Sequence, residues 1–192
     1  MPDTRRALLL AACAWPWLAR AQAFDLKALM QRLGQRRSGE ARFTEERIVS
    51  GFDSPLRSSG TLSFAAPDRF VRQTLQPVQE AAELQGRTLL LRRGGRTRQM
   101  DLDAVPEVAT LLDAMRATLT GDLKQLQQHF RVELSGNDAQ WVLLLTPLEA
   151  RLQRQLRQIE VVGQAADVRS IALQLAGGDR SLMLLEPVTP AR

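Results

Sequence analysis

Hydrophobic residues follow a helical period at the start of the chain and an alternating period after it. Within 25–36, leucine and methionine recur every three or four residues, the spacing of an amphipathic helix. Residues 42–49 instead alternate between the two faces of a strand, and 51–55 contains the glycine and proline of a hairpin loop. These patterns predict a helix followed by a first strand and a turn.

Short strand-like runs then recur at intervals of about ten residues, the spacing of consecutive strands in an antiparallel meander. Five of them precede a helical segment, at 59–65, 70–75, 80–84, 88–92 and 97–102. The helical period returns between residues 105 and 128, and Thr120-Gly121 divides it into two short helices. Five more runs follow, at 130–134, 141–145, 156–162, 168–175 and 181–185. The order predicts a helix, about six strands, a helical insert and about five strands.

An antiparallel sheet of about 11 strands is expected to curl until it closes or nearly closes. The predicted fold class is therefore α+β, with a strongly curved antiparallel sheet whose concave face surrounds a space. From residue 24 onward the chain has six phenylalanines, one tryptophan and no tyrosine. Aliphatic side chains must therefore line most of that space, and either the helices or a ligand must fill it.

The first 23 residues have the pattern of a cleavable secretory signal peptide. Arg5 and Arg6 precede the apolar run 7–19, and Ala21-Gln22-Ala23 supplies the small residues of a cleavage site. The run has about 13 apolar residues, whereas a membrane-spanning helix needs about 20. We therefore expect an exported protein that begins at Phe24 and forms one domain over 24–192.

Cys13 offers a competing interpretation of the leader. Leu10-Ala11-Ala12-Cys13 resembles a lipobox, in which the cysteine is lipidated and becomes the first residue of the mature protein, although the apolar stretch before it is short. Cys13 is also the only cysteine of the chain. After cleavage at Phe24 the protein would have no thiolate nucleophile, disulfide or cysteine metal ligand.

Charge argues against a nucleic-acid-binding protein. The net charge of +5 falls to about +3 without the leader, which is only mildly basic. Arginines gather around the Gly94-Gly95 turn, at Arg87, Arg92, Arg93, Arg96 and Arg98. No aromatic residue lies among them to stack on bases. This segment is either a solvated basic hairpin or a contact for an acidic membrane face or partner.

Few residues could support catalysis or bind a metal. His129 is the only histidine. As a catalytic base it would need a nucleophile to activate, and we find neither a cysteine nor a G-x-S-x-G serine for that role. Asp101, Asp103 and Glu107 could hold a hard cation, but carboxylates also favour the start of a helix, and Pro106 fits its first turn. We expect no enzymatic activity, no cofactor and no metal.

A series of short motifs runs through most of the chain after residue 24. In chain order they are Asp25-Leu26-Lys27 at the first helix, Phe43-Thr44-Glu45, Gly60-Thr61-Leu62-Ser63-Phe64, Pro67, Phe70, Gln76-Pro77, Gly86-Arg87-Thr88-Leu89, Trp141-Val142-Leu143, Thr146-Pro147 and Leu156-Arg157-Gln158-Ile159. Each is weak alone. Their order and spacing resemble the LolA family of periplasmic outer-membrane lipoprotein carriers.

The resemblance implies an incomplete β-barrel with helices as a lid over the concave face. Its apolar cavity would shelter the acyl chains of a lipoprotein, or of a related acylated lipid, between the inner and outer membranes. The family's partners are an inner-membrane lipoprotein-releasing transporter and an outer-membrane acceptor, and the carrier is expected to be a monomer. The cavity wall and lid are assigned by resemblance to Phe43, Leu62, Phe64, Phe70, Leu89, Leu111, Leu112, Met115, Leu119, Trp141, Leu143 and Ile159.

Two departures from the family pattern point to a divergent member. Ala66 stands before Pro67, where the family usually has an arginine that bonds to the lid; Arg69 or Arg72 could replace it, although a strand arginine is by default a surface charge. The family also commonly continues beyond the last strand, whereas this chain ends within 186–192. The cargo could therefore be a glycolipid or another acylated product. A lipid-sensing regulatory module of the same fold and a lipid-anchored LolB-like acceptor remain alternatives.

Overall fold

The computed structural model describes residues 24–188. The predicted signal peptide and Cys13 lie outside the described residues. The α-helices of this region are α1 (Leu26–Gly34), α2 (Pro106–Thr120), α3 (Leu123–His129) and α4 (Ala150–Gln153). The strands are β1 (Ser38–Ile48), β2 (Leu56–Ala65), β3 (Arg69–Gln76), β4 (Glu80–Gln85), β5 (Thr88–Arg93), β6 (Arg96–Asp101), β7 (Phe130–Asn137), β8 (Gln140–Pro147), β9 (Leu156–Gln164), β10 (Asp167–Leu175) and β11 (Arg180–Pro187).

All eleven strands form one antiparallel sheet in the order β6-β5-β4-β3-β2-β1-β11-β10-β9-β8-β7. The strand β1 lies at the centre, and successive hairpins extend the sheet outward on both sides of it. The edge strands β6 and β7 do not pair, so the sheet does not close. The chain crosses from one edge to the other through a 3₁₀ helix at Leu102–Ala104 and then α2 and α3. The predicted α+β class, the incomplete barrel and the strand count are confirmed.

Two differences from the sequence prediction have a clear physical reason. Strand β1 begins at Ser38 rather than near residue 42, because Gly39 pairs with Phe64 and leaves room for its ring. A Cβ atom at Gly39 would lie 2.6 Å from Cε1 of Phe64. The helix α4 was not predicted, since four residues are too few to produce a recognisable helical period.

The junction between α2 and α3 depends on Gly121. Its φ of 72° is the left-handed conformation that ends α2, and a Cβ atom there would lie 2.1 Å from the carbonyl oxygen of Met30 in α1. This close approach seats the helical insert on the first helix, whose Leu29, Met30 and Leu33 are buried.

Gly121→Ala is expected to lower the free energy of unfolding by about 2 kcal/mol, because the new methyl group adds a backbone clash to the cost of a positive φ. Gly95→Ala is the matched control. Its φ is 75°, and nothing lies within 4 Å of the added Cβ, so it should cost only about 1 kcal/mol. Urea denaturation of both variants tests this. Equal losses would show that the contact with α1 contributes nothing.

The buried side chains form two clusters on the concave side of the sheet. The larger one contains Leu29 and Met30 of α1, Leu126 of α3 and the inward residues of β7, β8 and β9. The smaller one is built from Phe70, Leu84, Leu102 and Ala109. Side chains from both clusters face a space that neither fills.

Candidate functional site: an apolar cavity beneath helix α2

A cavity of about 380 Å³ lies between the concave face of the sheet and α2. This volume falls in the range of pockets that hold small apolar ligands. One wall is a row of cross-strand neighbours in β2–β5, because the register pairs Phe64 with Phe70, Phe70 with Leu84 and Leu84 with Leu89. The rings of Phe64 and Phe70 stack with centroids 6.3 Å apart. Alternation along four strands therefore produces one continuous apolar surface.

Helix α2 forms the roof of the cavity. Pro106 fits the first turn of the helix, and Gly121 ends it. Leu111, Leu112, Met115 and Leu119, which recur at helical spacing, face the cavity. None of these four is fully buried, so the roof presents apolar side chains to a space that the protein leaves vacant.

Nine of the twelve residues assigned by resemblance to the cavity wall and lid line this cavity. They are Leu62, Phe64, Phe70, Leu89, Leu111, Leu112, Met115, Leu119 and Ile159. Their contact with lipid stays a prediction.

The other three, Phe43, Trp141 and Leu143, are not among the lining residues. Trp141 and Leu143 are 0% exposed within the larger buried cluster, and the Trp141 Nε1–H donates to the carbonyl oxygen of Ala165 at 3.0 Å. Phe43 is covered by the guanidinium of Arg72, whose Cζ lies 4.6 Å from the ring centroid. Other side chains bury these three residues, so they contribute to packing in this structure. Their contact with lipid, like that of the nine, stays a prediction.

Polar contacts join the roof to the turn between β4 and β5. Arg87 donates from Nη1 to Oδ2 of Asp113 in α2 at 3.0 Å, and from Nε to Oδ1 of Asp103 at 3.0 Å. Arg116 of α2 donates from Nη2 to the carbonyl oxygen of Gly86 at 2.7 Å. The hydrogen bond to Asp103 raises the pKa of Arg87 above its ordinary value. Arg87 is therefore a permanent positive charge between the β4–β5 turn and α2.

These contacts differ from the family pattern noted at Ala66. Arg69 lies at the surface and bonds to Glu83 at 3.0 Å, which lowers the pKa of that carboxylate. Arg72 bonds within the sheet, to Glu45. Among the side chains that the structure describes, neither residue makes a polar contact with α2, whereas Arg87 and Arg116 bond across the junction between α2 and the β4–β5 turn. The default assignment of Arg72 to the surface is wrong, because its side chain lines the cavity and is about one third exposed.

Asp113→Asn tests this connection, because Asp113 contacts both Arg87 and Arg116. We expect about fivefold faster release of a bound fluorescent fatty acid, 12-(9-anthroyloxy)stearate, to lipid vesicles, since the variant weakens the ion pairs that the largely buried Asp113 makes with both arginines. Asp53→Asn, in an exposed loop between β1 and β2, should leave the rate unchanged. Equal release rates for all three proteins in stopped-flow fluorescence would show that these bonds do not control opening.

A buried polar cluster interrupts the otherwise apolar lining. Glu45 is 7% exposed and accepts hydrogen bonds from Ser181 Oγ at 2.7 Å, Arg72 Nη2 at 2.7 Å and Ser58 Oγ at 3.1 Å. Burial alone raises the pKa of Glu45, but the bonds from Ser181 and Arg72 and the arginine's charge outweigh it, so the pKa lies below its ordinary value. Glu45 is thus an ionised group on the concave face.

Sequence reasoning missed the role of Glu45 and Arg72, although a signal was present. In the alternation of β1, Glu45 shares a face with Phe43, the apolar side of the strand. An acid on the buried side of a strand requires partners. Its partners lie 13, 27 and 136 residues away along the chain, so only the fold identifies them.

Three of the polar residues considered from sequence, Asp101, Asp103 and His129, have structural partners. Asp101 caps the 3₁₀ helix by accepting from the Asp103 amide at 2.9 Å, and His129 Nδ1 lies 2.7 Å from Oε1 of Glu149. Between residues 24 and 188, no group of three histidine, cysteine or carboxylate side chains is placed to hold a metal ion. The helices of that range are also too short or too polar to cross a bilayer.

The described residues form a half-open barrel with an apolar cavity under a helix. Residues 18–190 match the family described as "Outer membrane lipoprotein carrier protein LolA-like", and the chain belongs to that family. No curated protein matches it significantly.

Several solved structures are similar in outline. A LolA superfamily protein from Nitrosomonas europaea has a TM-score of 0.46 at 10% identity, covering 85% of this chain and 92% of that one. A DUF1329 family protein from Desulfovibrio piger has a TM-score of 0.46 at 10% identity, covering 84% and 88%. The Pseudomonas aeruginosa MucA/MucB complex has a TM-score of 0.40 at 19% identity, covering 88% and 59%. Membership rests on the family match and not on these neighbours.

Proposed function

We propose that the protein is a periplasmic carrier that shelters the acyl chains of lipoproteins, or of a related acylated lipid, in transfer from the inner to the outer membrane. It would be exported by a signal peptide at residues 1–23. The observation that carries this proposal is the cavity between the concave sheet and α2, whose lining is mostly aliphatic and aromatic. A carrier needs such a cavity because acyl chains are insoluble in the aqueous space between the membranes.

The energetics favour acyl cargo. Each methylene group transferred from water to an apolar site contributes about 0.8 kcal/mol, so one 16-carbon chain offers roughly 12 kcal/mol before the costs of binding. Leucine and methionine dominate the roof, and such flexible side chains can adapt to chains of different length. Movement of α2 would then release the cargo to an acceptor.

By family membership, the proposed donor is an inner-membrane lipoprotein-releasing transporter and the proposed receiver an outer-membrane acceptor. The carrier would work without enzymatic activity, as a monomer. The acyl chains would contact the nine lining residues named above, with Phe70 central in the sheet wall.

Mass spectrometry of protein purified from its native periplasm tests the proposal. Organic extraction should recover about one acylated molecule per protein, and the mature N-terminus should be Phe24. An acylated Cys13 would instead favour the anchored acceptor. An extract without any acylated compound would contradict the carrier function.

A further inference from the structure

A second hollow, of about 500 Å³, lies beside the apolar cavity and is polar in character. Four arginines and one acidic residue line it: Arg47, Arg57, Arg72, Arg93 and Glu80. The registers place Arg47, Arg72 and Arg93 on the same concave face as Phe43. Arg72 lines both spaces. The apolar cavity and the polar hollow therefore share one side chain, that of Arg72.

The positive charge of this hollow is only partly neutralised. Arg57 pairs with Glu46 at 3.1 Å, and Arg72 pairs with Glu45 at 2.7 Å. Arg93 lies 3.9 Å from Glu80, at the limit of an ion pair, and both side chains are exposed. Arg47 has no carboxylate partner among residues 24–188. The hollow thus retains cationic groups that the protein itself does not pair.

Strand β6 adds further positive charge on the same face. Arg96 lies directly opposite Arg93 in the register of β5 and β6, and Arg98 follows two residues along the strand. Like charges opposite one another destabilise a sheet. An anion bound here would relieve that repulsion, and the summed charge attracts anions to the hollow.

We propose that this hollow binds the oxyanion head group of a cargo whose acyl chain occupies the apolar cavity. The substrate class is therefore an anionic amphiphile carrying a phosphate or carboxylate. Guanidinium groups suit this role because they bind such groups through paired, charge-assisted hydrogen bonds. Arg47 and Arg93 line the hollow and supply the contacts, Arg96 adds positive charge beside Arg93, and Glu45 holds Arg72 at the junction. This inference rests on the proposed carrier function and adds the chemistry of the head group.

Two lysolipids with the same palmitoyl chain but different head groups distinguish the contribution of the head group to binding from that of the chain. Isothermal titration calorimetry of the wild type should show about tenfold tighter binding of lysophosphatidylglycerol than of lysophosphatidylcholine, or about 1.4 kcal/mol. The triple variant Arg47→Gln/Arg93→Gln/Arg96→Gln should lose this preference and bind lysophosphatidylcholine as before.

The control variant is Arg42→Gln/Arg131→Gln/Arg180→Gln. It removes the same charge from exposed arginines that the registers place on the opposite face of the sheet, and it should keep the preference. A wild type without preference, or a preference that survives the first triple variant, overturns the head-group inference and leaves the carrier function standing. Failure of both lysolipids to bind overturns both.

The remaining alternative is that the hollow binds a small soluble anion and not the head group of a lipid. sn-Glycerol 3-phosphate carries a phosphate without an acyl chain. We expect it to displace labelled lysophosphatidylglycerol only at concentrations at least 100-fold higher than those at which unlabelled lysophosphatidylglycerol does so. Displacement at equal concentrations would show that the hollow recognises a free phosphate compound, which would overturn the assignment to an amphiphile.

Discussion

Replacing Phe70 by glutamate is expected to reduce affinity for acylated cargo at least about 100-fold, which corresponds to about 2.7 kcal/mol. The Phe70 side chain, 9% exposed, stacks on Phe64 and forms part of the apolar row across β2–β5. A carboxylate there would have to lose its hydration shell whenever a hydrocarbon chain filled the cavity. Without cargo, water in the open cavity can solvate the charge, so the fold should survive.

Two controls make the Phe70 result specific, with binding of radiolabelled palmitate as the measurement. Phe70→Leu keeps an apolar wall and should weaken binding by less than tenfold. Phe52→Glu adds the same charge at a phenylalanine that is 60% exposed and outside the cavity lining, and it should bind as the wild type does. If Phe70→Glu does not fold, Leu112→Glu makes the same test from the roof. Undiminished binding in a folded variant would remove Phe70 from the site.

Glu45→Ala is expected to lower the free energy of unfolding by about 3 kcal/mol, the largest loss we anticipate for a single polar residue. The substitution leaves Arg72 without its ion pair and leaves Ser58 and Ser181 without their hydrogen-bond acceptor. These groups are only partly exposed to water, so water does not fully replace the lost contacts. The matched control is Glu46→Ala, one residue along. Glu46 lies on the opposite face in an exposed pair with Arg57 and should cost less than about 0.5 kcal/mol.

The same carboxylate predicts a pH dependence. The pKa of Glu45 is lower in the folded protein than its ordinary value of 4.5. The stabilisation is therefore fully present above about pH 4.5 and is lost as the pH falls below that value toward the folded pKa. The stability difference between wild type and Glu45→Gln, followed by urea denaturation from pH 7 to pH 3, should shrink below pH 4.5. A difference independent of pH would mean that Glu45 is not ionised in the fold.

Local pattern accounts for most of the architecture. The strands were predictable because their side chains alternate and their turns carry glycine or proline, and α2 because its leucines recur at helical spacing between Pro106 and Gly121. The start of β1 was harder to predict, since Ser38, Gly39 and Glu40 have no apolar member. Those residues extend the strand because Phe64 packs over Gly39, which is a contact across the sheet.

The site was predictable only in part, because alternation identifies the face of a side chain and not what covers it. Phe70 and Trp141 both lie on the inner face, yet Phe70 borders the vacant space while Trp141 is enclosed by the larger buried cluster. The bonds that hold α2 to the sheet involve Arg87 and Asp113, which are 26 residues apart. Such pairings depend on the path of the chain in three dimensions.

The location of a bound acyl chain can be measured directly by methyl NMR with a spin-labelled fatty acid, 16-doxyl stearate. Three methionines act as probes: Met115 and Met183 line the cavity, and Met30 of α1 is buried in the larger cluster outside the lining. We predict that the nitroxide broadens the Met115 and Met183 methyl signals at equimolar ligand more strongly than the Met30 signal. Unchanged Met115 and Met183 signals under saturating ligand would contradict the claim that the cavity beneath α2 holds the chain.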